Sequence, residues 1–170
     1  MAVKKKQLIQ DTLDREIVIT RIIDAPRELV WKAWTESEHL ARWWAPKGCS
    51  TPFCTVDLRP GGRFHFCMQM PDGGKVWGIG VYREIVEPER LVYTDSFSDE
   101  KGNPVPPSRY GMSESHPDET VVTVTFDEYQ GKTTLTLRHS ISKSVKEREG
   151  TEQGWKEMLE RLAEHLQEAK

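Results

Sequence analysis

The sequence lacks the features that mark membrane, secreted and nucleic-acid-binding proteins. None of its apolar runs approaches the roughly 18 residues that a membrane span requires. The basic start over residues 1–6 is not followed by the apolar core of a signal peptide. The formal net charge is −3, so no basic excess favours nucleic acid. We therefore expect a cytoplasmic protein without a membrane span or a nucleic-acid partner.

Cysteine is scarce as well. The chain of 170 residues has three cysteines, Cys49, Cys54 and Cys67, with no CxxC pair, and its five histidines show no metal-ligand spacing. The odd number argues against a disulfide framework and fits a reducing compartment, where the cysteines act as small apolar fillers. A chain of this length can bury enough surface to fold as one domain without disulfides or bound metal ions. We expect no metal and no cofactor.

Established catalytic motifs are also missing. The sequence contains no GxSxG, P-loop, GxGxxG or HExxH pattern. The glycine pair Gly61-Gly62 lies between two predicted strands, whereas a phosphate cradle needs glycines at the start of a helix. His139 and Asp95 could form an acid–base pair, but no nucleophile or metal accompanies them. The sequence therefore predicts no catalytic residues.

The first regular elements are a strand and two short helices. Residues 16–23 alternate between two partly apolar faces, which is typical of a strand. We expect Asp24 to cap a helix whose first turn contains Pro26, since an acidic N-cap and an early proline favour a helix start. Thr35 and Glu38 are expected to form a capping box at the start of a second short helix.

The rest of the chain predicts six more strands and a long helix. Alternation and turn signals place the strands at 50–58, 63–70, 76–86, 90–97, 120–126 and 132–141, and helical periodicity places the helix from residue 151 onward. Residues 98–119 are polar and contain four prolines without periodicity, so we expect either a mobile loop or a lid. The order of elements predicts an α+β fold, with an antiparallel sheet curled around the C-terminal helix.

Several short stretches together resemble a known family. They are residues 21–31 (RIIDAPRELVW), 43–46 (WWAP), 57–64 (DLRPGGRF), 88–91 (PERL) and 154–155 (GW). They are similar to the Activator of heat shock protein 90 ATPase homologue family, within the START/polyketide cyclase (SRPBCC) superfamily. The resemblance implies one START-like domain over residues 1–170, with its core at about 16–167. It also implies the helix-grip fold: a seven-stranded curled antiparallel sheet around a long C-terminal helix, two short helices between strands 1 and 2, and an internal cavity.

The resemblance leaves three interpretations of function open, because the superfamily includes ligand carriers, enzymes and co-chaperone domains. The preferred one is a small-molecule binding protein whose cavity takes an aromatic or acyl ligand with one polar end. The second is a co-chaperone-type module whose partner is a heat-shock chaperone ATPase. The third is a cyclase- or hydrolase-like enzyme. The eukaryotic co-chaperone that names the family resembles this chain only in its C-terminal domain. We expect a monomer or a homodimer.

The predicted cavity is built from side chains that alternation and helical spacing direct between the sheet and the C-terminal helix. These residues are Arg21, Trp44, Phe64, Phe66, Met68, Trp77, Ile79, Tyr93, Asp95, Leu137, His139, Trp155 and Leu159. Most of them would also form the close-packed core. Trp44 and Trp77 are expected to line the pocket, because an indole combines a broad apolar surface with one polar atom.

Four of these residues bring polar groups inward: Arg21, Tyr93, Asp95 and His139. Because the first strand is expected beside the last, Arg21 and His139 are predicted to lie on one side of the cavity. There the four side chains would orient a ligand that bears a carboxylate, phenol or ketone. The alternative is an ion pair of Arg21 with Asp95 or a glutamate, since a buried arginine requires a partner.

Overall fold

Seven strands and four α-helices make up most of the described chain. The computed structural model describes the backbone of residues 2–168 and the side chains of residues 4–11 and 14–168. In chain order the elements are α1 (Ala2–Arg15), β1 (Ile17–Ile23), α2 (Arg27–Thr35), α3 (Ser37–Trp43), β2 (Ser50–Val56), β3 (Arg63–Gln69), β4 (Lys75–Val86), β5 (Arg90–Ser98), β6 (Thr120–Tyr129), β7 (Lys132–His139) and α4 (Arg148–Glu168). A short 3₁₀ helix, Pro107–Tyr110, interrupts the loop between β5 and β6. Within the described residues, no helix is long and apolar enough to cross a membrane.

The strands form one antiparallel sheet in the order β1-β7-β6-β5-β4-β3-β2. Strands β2 to β5 follow one another as a meander, and β1 pairs with the last strand, β7, as the sequence predicts. The buried face of α4 carries Trp155, Met158, Leu159, Leu162 and Leu166. The predicted α+β fold, with a seven-stranded sheet around a C-terminal helix and two short helices after the first strand, is confirmed.

Tryptophan side chains pack α2 and α3 against α4. The ring centroids of Trp34 and Trp43 are 4.6 Å apart, and Trp34 stacks on Trp155 of α4 at 6.3 Å. Trp43 Nε1 donates to the Ala33 carbonyl at 2.9 Å, which satisfies its polar atom. All three rings are buried. Because truncating such a ring costs about 3–5 kcal/mol, the tryptophans hold this end of the sheet firmly against the helices.

The starts of α2 and α3 differ from the sequence prediction. Helix α2 begins at Arg27 with Pro26 in the N-cap position, α3 begins at Ser37, and neither start has a side-chain cap hydrogen bond. The predicted capping roles of Asp24 and Thr35 are therefore wrong. Thr35 belongs to the last turn of α2, because its hydroxyl donates to the Trp31 carbonyl at 2.8 Å. A distant side chain satisfies a backbone donor at the start of α2: Glu128 Oε1 accepts from the backbone N–H of Arg27 at 2.9 Å.

The inner face of β4 is also opposite to the one predicted. Gly78 lies opposite Phe66 of β3, and Gly80 lies opposite Phe64. A Cβ atom on Gly78 would come within 2.3 Å of the Phe66 ring, and one on Gly80 within 2.0 Å of the Phe64 ring. The two phenylalanine rings therefore occupy the space that side chains on β4 would need, so the glycines must face the interior.

This arrangement moves three residues to the face opposite the one expected. Trp77 and Ile79 lie on the outer face, where Trp77 packs against Phe53 and His65 at centroid distances of 5.3 and 5.1 Å. Ile79 is covered there by the loop after β5 and is only 4% exposed. Tyr82, expected outside, is buried in the core at 2% exposure. Strand alternation is correct for β4 up to the irregularity between Tyr82 and Glu84, but bulk is a misleading guide to its inner face.

Helix α1 occupies residues for which the sequence predicted no element. Its side chains over residues 4–10 are exposed, Leu8 and Ile9 included. The described side chains of α1 form no buried apolar stripe and give no periodic signal, although lysine and glutamine are good helix formers. The backbone N–H of Lys143 donates to the Asp14 carbonyl at 2.6 Å, which joins the end of α1 to the segment before α4.

Candidate ligand cavity

A cavity of about 650 Å³ lies between the inner face of the sheet, the first half of α4 and the loop over residues 99–119. A second lobe of about 150 Å³ adjoins it along β4 and β5. The two lobes share lining residues from the sheet, the loop and the helix, among them Phe66, Asp95, His116 and Thr151. Their combined size is within the range of sites that hold small organic molecules.

The walls of the cavity are mainly aromatic rings and methionines. They are Trp44, Phe66, Met68, Phe97, Met112, Trp155 and Met158. The Trp44 ring meets Phe66 and Trp155 edge to face, with centroids 5.6 and 5.4 Å apart. Methionine side chains are flexible and polarizable, so they fit irregular apolar shapes. The walls therefore suit an aromatic or acyl group of variable shape.

His139 forms a closed hydrogen-bond network at the inner end of the cavity. Its Nδ1 accepts from Trp155 Nε1 at 2.9 Å, so this nitrogen carries no proton. Its Nε2–H therefore donates to Thr120 Oγ1 at 2.8 Å. Burial lowers the pKa of His139 to about 3, with a further contribution from His116. The imidazole is neutral at pH 7 and both of its nitrogens are already engaged.

Asp95 stands beside this network with its carboxylate unbonded. Its Oδ2 lies 3.8 Å from His139 Nε2, which is too far for a hydrogen bond, and within the described part of the chain its carboxylate accepts none. The side chain is 32% accessible because it borders the cavity, although protein atoms surround it closely. Burial raises the pKa of Asp95 to about 7. The cavity wall thus contains a carboxyl group whose hydrogen-bonding capacity is unused.

The loop over residues 99–119 is tied to the segment that leads into α4. The backbone N–H and the hydroxyl of Ser113 donate to the Glu147 carboxylate at 2.6 and 2.9 Å. The backbone N–H of Lys146 donates to Ser115 Oγ at 3.0 Å. The bonds from Ser113 hold the pKa of Glu147 below its ordinary value. Since Met112 and His116 of this loop line the cavity, the loop has the geometry of a lid.

Six of the residues predicted from the sequence line the main cavity, namely Trp44, Phe66, Met68, Asp95, His139 and Trp155. Trp77 borders the smaller lobe and, on the outer face, a separate pocket beside Asp99 and Tyr110. Four others are fully buried in the hydrophobic core away from the lining, namely Phe64, Tyr93, Leu137 and Leu159. Ile79 lies on the outer face of the sheet. The structure therefore divides the predicted set into cavity walls and core.

Arg21 does not reach the cavity. In the pairing of β1 with β7, Ile17 lies opposite His139, and Arg21 lies opposite Leu135. Arg21 is thus four residues, or about 13 Å, farther along the strand than the prediction required. Among the described residues it forms no ion pair, so the predicted pair with Asp95 is absent. The cation that would have held a ligand carboxylate is missing from this cavity.

No sequence pattern reveals the lining residues from the loop and from the start of α4. Met112 and His116 lie in a stretch without periodicity, so no pattern could direct them inward. Glu147 and Glu149 stand at the mouth beside Lys146 in a charged segment that the sequence indicates only as extended or weakly helical. The predicted lid was the one signal that pointed to this region. Within the described residues, no group of three or more His, Cys, Asp or Glu side chains is arranged to hold a metal ion.

Comparisons with known proteins agree with the fold. The model of the family described as Activator of Hsp90 ATPase homolog 1-like protein matches residues 24–167. A solved structure from Arthrobacter aurescens is 28% identical with a TM-score of 0.79, over 93% of this chain and 89% of that chain. One from Nitrosomonas europaea is 27% identical with a TM-score of 0.75, over 92% and 96%. The AHSA1-like protein from Aeromonas hydrophila, 24% identical over 91% and 93%, shares the fold with a TM-score of 0.68. No curated protein matches the chain.

Proposed function

The chain belongs to the family of Activator of Hsp90 ATPase homolog 1-like proteins, and from this premise we propose that it binds a small apolar molecule with one polar end. The molecule lies in the cavity beneath the loop over residues 99–119. Folds of this superfamily commonly bind ligands, and the match covers most of the chain.

The observation that supports this proposal is the unbonded carboxyl group of Asp95 on an apolar wall. Its oxygens have no hydrogen-bond partner among the described residues, and 32% of the side chain is accessible at the edge of a cavity of about 650 Å³. An apolar molecule that covered this group without a matching polar group would leave it buried and unsatisfied, which costs about 1–3 kcal/mol. A ligand with a complementary polar end would supply the missing partner.

The hydrogen bonds of His139 favour binding over catalysis. A general base needs a ring nitrogen that can accept a proton from a substrate. In His139, Nδ1 accepts from Trp155 and Nε2–H donates to Thr120, so neither nitrogen is available to a molecule in the cavity. The histidine therefore acts as a fixed part of the wall beside Asp95.

Two matched variants of α4 test the proposal. Gly154 lines the cavity, and a Cβ atom added there has its nearest neighbour at 3.8 Å, so Gly154→Phe is expected to fill the cavity without a backbone clash. Gln153→Phe places the same ring on the exposed side of the helix. We expect the neutral dye N-phenyl-1-naphthylamine to give saturable fluorescence with the wild type and with Gln153→Phe. Gly154→Phe should bind about tenfold more weakly or worse. Equal binding by both variants would place the dye outside this cavity and contradict the proposal.

A second candidate function is binding to a heat-shock chaperone ATPase, because the family description names that activity. The same variants separate the two functions. Stimulation of a purified Hsp90-type ATPase that persists in Gly154→Phe would favour a chaperone partner that acts independently of the cavity. Wild-type protein without any effect on the ATPase would remove this candidate.

A further inference from the structure

We infer that the polar end of the ligand is a protonated amine held by the carboxylate of Asp95. The inference rests on the proposed function and gives the ligand a charge and a hydrogen-bonding type. It departs from the sequence prediction, in which Arg21 would have favoured a carboxylate ligand. It follows from the unbonded carboxylate of Asp95, the hydrogen bonds beside it and the charges that line the cavity.

Asp95 offers acceptors, and the donor beside it is already taken. The proton on His139 Nε2 is directed to Thr120 Oγ1 at 2.8 Å, whereas the Asp95 carboxylate is 3.8 Å away. The Thr120 hydroxyl in turn donates to the backbone carbonyl of Asp95 at 3.4 Å. Every donor of this network is therefore used within the protein. A ligand that meets Asp95 must bring its own donor.

His116 also lines the cavity and uses its Nδ1–H within the protein. Its Nδ1 lies 3.0 Å from the carbonyl of Pro117, and this carbonyl can only accept, so Nδ1 carries a proton. An ammonium group has three donors and no acceptor, which complements the Asp95 carboxylate.

The charges and rings around the cavity favour a cation over an anion. Asp95, Glu147 and Glu149 line it against a single lysine, Lys146, which is exposed at the mouth. Aromatic faces attract cations, and Trp155 and Trp44 both belong to the walls. A carboxylate ligand would meet repulsion from Asp95 with no buried cation to offset it.

The titration of Asp95 gives the inference a second signature. Burial raises the pKa of this carboxyl group to about 7 in the empty cavity, so it is largely protonated at pH 6. An ammonium ion favours the ionised form, and its binding at pH 6 should release a proton to the buffer. The other titratable groups that line the cavity are His116, His139, Glu147, Glu149 and Lys146. Among these, His139 is already neutral at this pH and cannot be the source.

Three molecules with one naphthalene frame separate the possibilities: 2-naphthylmethylamine, 2-naphthylmethanol and 2-naphthoate. Their affinities are measured by isothermal titration calorimetry at pH 8 with the wild type, Asp95→Asn and the control Glu114→Gln, an exposed position of the loop outside the cavity lining. We expect the wild type to bind the amine about tenfold more tightly than the alcohol, and the carboxylate most weakly. Asp95→Asn should lose the preference for the amine and still bind the alcohol, whereas Glu114→Gln should keep it.

The outcomes distinguish this inference from the proposed function. Binding of all three molecules with equal affinity, or a preference that survives in Asp95→Asn, would overturn the inference and leave a ligand-binding cavity. Binding of none would overturn both. If Asp95→Asn does not fold, calorimetry of the wild type at pH 6 in buffers of different ionisation enthalpy decides the matter. Release of a proton on binding the amine that persists in His116→Gln supports the inference, whereas no release, or release that is lost in His116→Gln, contradicts it.

Discussion

The two ends of the space between sheet and α4 are built from similar residues and behave differently. At the end covered by α2 and α3, the rings of Trp34 and Trp43 pack at 4.6 Å and the indole of Trp43 has its hydrogen bond. At the end covered by the loop, aromatic rings line a cavity of about 650 Å³ and Asp95 has an unbonded carboxylate. The first end is closely packed, and the second contains an open cavity with an accessible carboxylate.

The difference teaches that aromatic residues alone do not mark a binding site. Trp44 belongs to both ends, since it contacts Trp34 and Trp43 on one side and lines the cavity on the other. What distinguishes the cavity is the polar pair His139 and Asp95, whose pKa values are shifted in opposite directions to about 3 and about 7. Mutations at each end, made separately, therefore test whether the two ends differ in packing and in titration.

The largest effect is expected at the packed end. Trp34→Ala removes a buried ring that stacks on Trp155 and contacts Trp43, so the free energy of unfolding should fall by about 3–5 kcal/mol. Phe97→Ala at the cavity wall, where the ring is partly exposed, should cost about 1–2 kcal/mol. Urea denaturation followed by circular dichroism measures both. Equal losses of unfolding free energy at the two positions would show that the two ends are packed alike and would contradict the difference described above.

The next effect concerns acidification and His139. The folded pKa of about 3 lies below the ordinary value of 6.5, so the unfolded state binds a proton first as the pH falls. Stability from this residue is present above about pH 6.5 and is lost as the pH falls toward 3. Between pH 7 and pH 4 the loss should be about 3 kcal/mol.

His139→Gln, which cannot titrate, isolates this contribution. The variant is expected to begin less stable at pH 7 and to show a shallower fall in its free energy of unfolding on acidification. The relevant quantity is the difference in slope between the two proteins in urea titrations at several pH values. Identical slopes would mean that His139 has the same pKa in the folded and unfolded protein, and the neutral network would be incorrect.

The smallest effect has the opposite sign and belongs to Asp95. Its folded pKa of about 7 lies above the ordinary value of 3.8, so the folded state binds more protons than the unfolded state between these values. Stability therefore declines as the pH rises through this window. Asp95→Asn should be more stable than the ligand-free wild type at pH 8 by about 1–2 kcal/mol, a figure reduced for solvent in the cavity, and equal to it near pH 4. A less stable variant at pH 8 would show that the carboxylate has a partner in the folded protein.

The sequence carries the fold because periodicity reports which faces are buried. The spacing of Trp155, Leu159 and Leu162 predicts the long helix. Alternation around Phe64 and Phe66 predicts a strand whose apolar face is buried. Alternation does not say which of two apolar faces points inward. In β4 the bulky Trp77 lies outside and glycines lie inside, because the rings of β3 already fill that space.

The site is less accessible to sequence reasoning, because it depends on register and on the loop. Alternation on β5 places Asp95 on the inner face, and that prediction identifies the residue on which the proposed function rests. The position of Arg21 follows from the pairing of Ile17 with His139, which no local pattern encodes. The contacts of Ser113 with Glu147 join segments 34 residues apart, so tertiary structure alone brings His116 to the cavity.

The central claim is that the cavity beside Asp95 holds a small molecule in the cell. Native mass spectrometry of the wild type, Gly154→Phe and Gln153→Phe, each purified from the protein's own host under non-denaturing conditions, tests it most directly. We predict a discrete mass excess on the wild type and on Gln153→Phe that is released on denaturation and is missing from Gly154→Phe. A wild-type protein that carries only its bare mass, or a mass excess that persists in Gly154→Phe, would contradict the claim.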